Sequence, residues 1–168
     1  MMASTIGTLS LIAVLLGPAV FEGDVEESRV PLKSDGVVLA NEGMPFAEKM
    51  LREQGEFATF SMAMSTDGEI LHVGADDDRE HPTSQDAMFS QLREGAQDGR
   101  YRAIAIFSDI RMLHPKINKK VKVVQVGFED LTGLCYNTSY PYTLPLEKID
   151  RDEILLTERT GTVFSNCR

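Results

Sequence analysis

The chain has 168 residues, 42% hydrophobic and 26% charged, a composition that suits one globular domain able to bury its own core. Its 26 acidic residues outnumber 17 basic ones, for a formal net charge of −9, and it has no Trp and only 7% aromatic residues. Such a balance repels phosphate backbones and anionic lipid, and the scarcity of aromatics disfavours base-stacking platforms, so neither a nucleic-acid partner nor membrane-surface binding is expected.

The most apolar stretch is residues 6–21. It is short for a spanning helix, which needs about 20 residues, so no membrane span is expected. Its length is that of a secretory h-region, and Gly17 and Ala19 are small residues placed for a cleavage site. Against that, no Lys or Arg precedes Arg29. Two readings stand for residues 1–21: a signal peptide of a secreted or periplasmic protein, or an N-terminal apolar arm of a cytoplasmic one. Residues 22–42 are acidic and rich in turn formers and read as a linker, which leaves 43–168 as a single domain.

A first helix is predicted over 45–54, with Pro45 at its first position, Phe46, Met50 and Leu51 on one face and Gly55 ending it. Residues 57–65 then alternate in the two-residue period of a strand. Asp67-Gly68 follows, the strongest short hairpin signal, and 69–74 returns as a second strand. After the acidic loop 76–82, Thr83 or Ser84 caps a second helix with Ala87, Met88, Phe89, Leu92 and Ala96 on its apolar face. Three strands are predicted over 101–112, 119–129 and 134–140, then a short hairpin about Thr160-Gly161.

The fold class is therefore α+β: a five-stranded, mostly antiparallel sheet in the order helix-strand-strand-helix-strand-strand-strand, with a short C-terminal hairpin or tail. The order is similar to that of profilin-like and roadblock-like sandwiches, folds that host unrelated functions. The run Gly55-Glu56-Phe57-Ala58-Thr59-Phe60, with Asp67-Gly68, Phe128-Glu129 and Tyr140-Pro141-Tyr142, resembles a group of small uncharacterised bacterial proteins. There a Gly-Glu-Phe-x-Pro-Phe segment precedes an Asp-Gly hairpin, and Thr59 stands here in place of the Pro. The resemblance covers about residues 43–145 and implies no activity.

If the strands pair in simple order, one sheet face is expected to be bulky, with Phe60, Met62, Met64, Ile104, Ile106, Ile110, Val124, Val126 and Phe128. The other is then small or polar, with Thr59, Ser61, Ala63, Ala103, Ala105, Gln125, Asn137 and Ser139. The small face is open to the first helix, a second copy of the chain or a ligand. Asp109 and Arg111 share a strand face two residues apart and could orient a polar ligand, or simply mark its exposed end. Of three histidines, only His72 falls in a predicted strand; His81 lies in the acidic loop and His114 in a turn. Asp76, Asp77, Asp78 and His81 lack the alternation of a calcium loop. Glu56 and Glu129 are further candidates for a carboxylate pair, but their strands need not be neighbours, so acid–base chemistry is unsupported. Neither a nucleophile elbow nor a phosphate loop is present, and no metal or other cofactor is expected. Cys135 and Cys167 either tie the C-terminal tail to the last central strand or are two separate buried thiols.

These residues lean away from an enzyme and toward a non-catalytic binding or protein-interaction domain, a homodimer included, with Thr59, Ser61, His72, Asp109, Arg111 and Asn137 as ligand or interface candidates. The rivals are a small enzyme around His72, Asp109 and Arg111, and an inhibitor or immunity-type protein for a basic partner.

Overall fold

A computed structural model describes residues 34–74, 84–146, 149, 151–152 and 154–167. The apolar stretch 6–21 and the acidic loop with Asp76, Asp77, Asp78 and His81 lie outside them. Two helices and six strands follow in the order α1 (Asp35–Gln54), β1 (Phe60–Ser65), β2 (Ile70–Val73), α2 (Gln85–Gln97), β3 (Tyr101–His114), β4 (Lys119–Asp130), β5 (Cys135–Tyr142) and β6 (Leu155–Glu158).

Helix α1 begins ten residues ahead of the expected Pro45. Ser34 caps it, its Oγ accepting from the Val37 N–H, and Asp35 adds a negative charge at the positive end of the helix. Pro45 is inside the helix on its exposed side, where the bond it cannot donate leaves a carbonyl that water can satisfy. Gly36, Leu39, Gly43, Met44, Ala47 and Leu51 make a buried stripe at helical spacing. The two glycines let the axis approach the sheet closely, because a Cβ on Gly43 would run into the Phe107 ring and one on Gly36 into Phe128. Gly55 stops the helix in the left-handed conformation, at φ 76°. Helix α2 is capped by Ser84 and buries Met88, Leu92 and Gly95.

The described strands form one antiparallel sheet in the order β2-β1-β3-β4-β5-β6. It has six strands where five were expected. The extra one, β6, pairs with β5 from Ser139↔Leu155 to Tyr136↔Glu158, so the segment read as a local terminal hairpin extends the main sheet instead. Strands β3 and β4 form a long hairpin whose pairing runs from Ala103↔Asp130 to His114↔Lys119. Strand β1 flanks it only as far as Phe107, and β5 only as far as Lys122. The outer end of the hairpin therefore extends past both neighbouring strands.

The register corrects the expected division of the faces. Met62 lies opposite Ala105, which lies opposite Phe128, so Ala103, Ala105 and Phe107 join Phe60, Met62, Met64, Val124, Val126 and Phe128 under α1. Phe60 and Phe107 stack there with centroids 4.6 Å apart. Ile104 and Ile106 belong to the opposite face with Ala63, beneath Met88 and Leu92 of α2 and Phe164 of the tail. Alanines under α1 make room for the aromatic stack, and the face predicted to be small and open carries a second apolar core.

The tail that completes this second core is held at two points. Cys135 and Cys167 form a disulfide, with Cα atoms 5.4 Å apart, and Glu129 on the strand beside Cys135 gathers the backbone of residues 162–164. Replacing both cysteines by Ser is expected to lower the unfolding free energy by about 2–4 kcal/mol, because the crosslink constrains a long loop in the unfolded chain. A urea titration monitored by circular dichroism measures it, and the native spectrum should persist because Glu129 still holds the tail.

Candidate functional site

The sequence candidates occupy separate places. Ser61 is fully buried and donates to the Val73 carbonyl at 2.7 Å, tying β1 to β2. Thr59 shares a 3.4 Å hydrogen bond with Ser108 on the neighbouring strand. Asn137 donates to the Thr157 hydroxyl and the Glu158 carbonyl and accepts from Arg159, so it joins β5 to β6. The hydrogen bonds of Ser61 and Asn137 stitch strands together, and the small-residue face they were read onto is roofed by α2 and the tail.

His72 is exposed on the edge strand β2, opposite Met62, with its ring edge-on to Phe46 at 6.3 Å. Asp109 lies four residues along β3 from Ala105, the other partner of Met62. Strand spacings separate His72 from Asp109 by about 16 Å, with Phe60 and Phe107 between them, so the expected His72–Asp109–Arg111 grouping does not assemble. Glu56 and Glu129 are likewise apart. Glu56 lies in the α1–β1 connection near Tyr142, which pairs with Lys122; Glu129 is seven residues further along β4, or about 23 Å.

Asp109 and Arg111 also have polar neighbours. Asp109 accepts a 2.6 Å hydrogen bond from the Tyr142 hydroxyl. Burial, this hydrogen bond and the charges of Asp109 and Glu56 raise the Tyr142 pKa well above its ordinary value, and the positive charge of Arg111 only partly offsets them. The phenol therefore remains a proton donor to a carboxylate. Lys122 donates to the Gly55 carbonyl at 3.4 Å and lies 5.7 Å from the Tyr142 ring centroid. Arg111 is exposed and faces Lys122 across the β3–β4 pair.

No family model, curated protein or solved structure matches the chain. Among the described residues, no group of three His, Cys, Asp or Glu side chains is placed to hold a metal ion. None of the described helices is long and apolar enough to cross a membrane.

The feature that sequence reasoning passed over begins at Arg111. The outer end of the β3–β4 hairpin carries Arg111, Lys116, Lys119, Lys120 and Lys122, five of the chain's 17 basic side chains, while none of its 26 acids falls between Asp109 and Glu129. All but Lys122 are exposed. Leu113 and Ile117 sit among them at 56% and 54% exposure, the highest of the large apolar side chains among the described residues. The turn is built by its own residues: Asn118 takes the left-handed conformation at φ 51°, its N–H closing on the His114 carbonyl at 2.9 Å. The His114 ring accepts the Lys116 N–H at 3.2 Å. The basic run is legible in the sequence, but the whole-chain balance of −9 conceals it.

Proposed function

We propose that this chain is a non-catalytic interaction domain that meets an anionic partner through the outer end of its β3–β4 hairpin. One observation carries the reading: a projecting, cationic, partly apolar tip on a protein whose remaining residues are net acidic. Local charge of one sign steers an oppositely charged partner, and the acidic body turns wrong approaches away. The tip replaces the small-residue face as the contact surface, since that face is occupied by α2 and the tail. An enzyme built on His72, Asp109 and Arg111 is the weaker reading, because the two ends of that set stand on opposite sides of an aromatic stack.

A chain of pI near 4.8 should pass through a cation exchanger at neutral pH if its charge is evenly spread. The expected result is retention at low salt, elution as ionic strength rises, and loss of retention in a Lys119→Glu, Lys120→Glu variant with an unchanged melting curve. Flow-through of the wild-type protein would mean that the hairpin charges are not presented to a partner.

A further inference from the structure

Resting on that reading, we infer that the anionic partner is a lipid surface, with Leu113 and Ile117 entering the interfacial region and the basic side chains around them meeting the headgroups. Charge complementarity is local. Asp109, the acid nearest the tip on either strand of the hairpin, lies five residues back from His114, or about 17 Å along the strand. That is about two Debye lengths at physiological salt, so a surface at the tip is largely screened from the Asp109 carboxylate. Repulsion of the acidic body by the same surface then orients the molecule tip-first.

The residue types favour lipid over the alternatives. Four of the five cations are lysines, compact and strongly hydrated point charges suited to a diffuse anionic plane; planar recognition of discrete carboxylates or phosphates uses Arg forks, and only Arg111 is present. No Phe, Tyr or Trp lies between Ser108 and Gly127 and His114 is buried, so bases of a nucleic acid would find no exposed aromatic ring to stack on. The most exposed large apolar side chains among the described residues, Leu113 and Ile117, lie at the extremity, where headgroup carbons can accept them. Lysine stems beside them can follow into the apolar boundary while the ammonium stays in water. The hairpin alternates in the same sense: Arg111, Leu113, Lys120 and Lys122 share one face, and Ile110, Met112 and Val121 the other.

The test is co-sedimentation of the full chain with vesicles of phosphatidylcholine alone and of phosphatidylcholine mixed with phosphatidylglycerol. Binding is expected only to the mixed vesicles and should fall with added salt. Each basic side chain near such a surface is worth about five-fold, so Lys119→Glu with Lys120→Glu should weaken binding by at least about 25-fold. Leu113→Ser with Ile117→Ser should weaken it by at least about ten-fold, since two apolar side chains no longer partition. The chain has no Trp, so Ile117→Trp supplies a single reporter whose emission should shift to the blue on the mixed vesicles. Four results would each overturn the inference: no sedimentation with mixed vesicles, equal binding to both vesicle types, binding that survives both double variants, or binding sensitive to charge but indifferent to Leu113 and Ile117. If vesicles fail while the cation exchanger still retains the protein, the interaction reading stands and an acidic macromolecule takes the place of lipid. If both fail, that reading falls too.

Discussion

Glu129→Gln is expected to lower the unfolding free energy by about 3–5 kcal/mol, the size of effect seen when one member of a buried ion pair is removed. Glu129 is fully buried, and both of its oxygens are engaged. Oε1 accepts from Arg159 Nε at 2.9 Å and from the N–H and hydroxyl of Thr162, while Oε2 accepts from the N–H groups of Val163 and Phe164. An amide of the same shape turns an NH2 toward donors, so at least one oxygen's partners are left unsatisfied and Arg159, mostly buried, loses its counter-charge. Because these donors belong to the segment that lays Phe164 into the second core, the variant should also become sensitive to proteolysis near residue 160.

The same site gives a pH signature. Burial on its own pushes the Glu129 carboxyl up, but the N–H groups of Thr162, Phe164 and Val163 and the Thr162 hydroxyl outweigh it and hold the pKa below its ordinary value. A carboxyl whose folded-state pKa is depressed stabilises the fold above its unfolded-state pKa, about 4.3, and loses that contribution as pH falls through the folded value. The difference in melting temperature between wild type and Glu129→Gln should therefore be full at neutral pH and shrink in acid below about pH 4. A difference independent of pH would mean that shape, and not charge, is what the tail recognises.

How much was legible follows the range of the forces involved. The Asp67-Gly68 hairpin, the Ser84-capped helix and the meander of β3, β4 and β5 rest on local signals, and these elements lie where those signals put them. The start of α1 was misjudged because Asp35-Gly36 has turn character. Gly36 and Gly43 are poor helix formers, retained in α1 because the Phe128 and Phe107 rings need the space. The faces of β3 were misassigned because alternation shows only that Ile104 and Ile106 share a side. Which side that is depends on cross-strand register, which the contrast of bulky Ile with small Ala cannot reveal. Glu129 looked like one acid in an apolar strand; its partners come from residues 159–164, some thirty positions on, and four of its five donors are backbone N–H groups or a hydroxyl with no distinctive spacing. At the candidate site, Arg111 was singled out but the lysines beyond it were not, because charge summed over the chain has no sense of place.

A carboxylate at Met62 or Ile106 makes the opposite case to Glu129. Met62→Asp and Ile106→Asp are each expected to cost more than about 4 kcal/mol, enough to unfold a domain whose total stability is about 5–15 kcal/mol. Met62 is 1% exposed under α1 and Ile106 5% exposed beneath α2 and the tail, so an acid at either is set among buried apolar side chains. Glu129 is just as deeply buried and is held in place because five donors converge on it. Thr59→Asp should cost only about 1 kcal/mol, since Thr59 is half-buried and loses one long hydrogen bond to Ser108. Soluble yield and guanidinium midpoints of the three variants decide the matter. Comparable collapse at 62 and 106 with a folded Thr59→Asp is what a sheet covered on both faces requires, whereas a folded, cooperative Ile106→Asp would mean that α2 and the tail do not seal the second face.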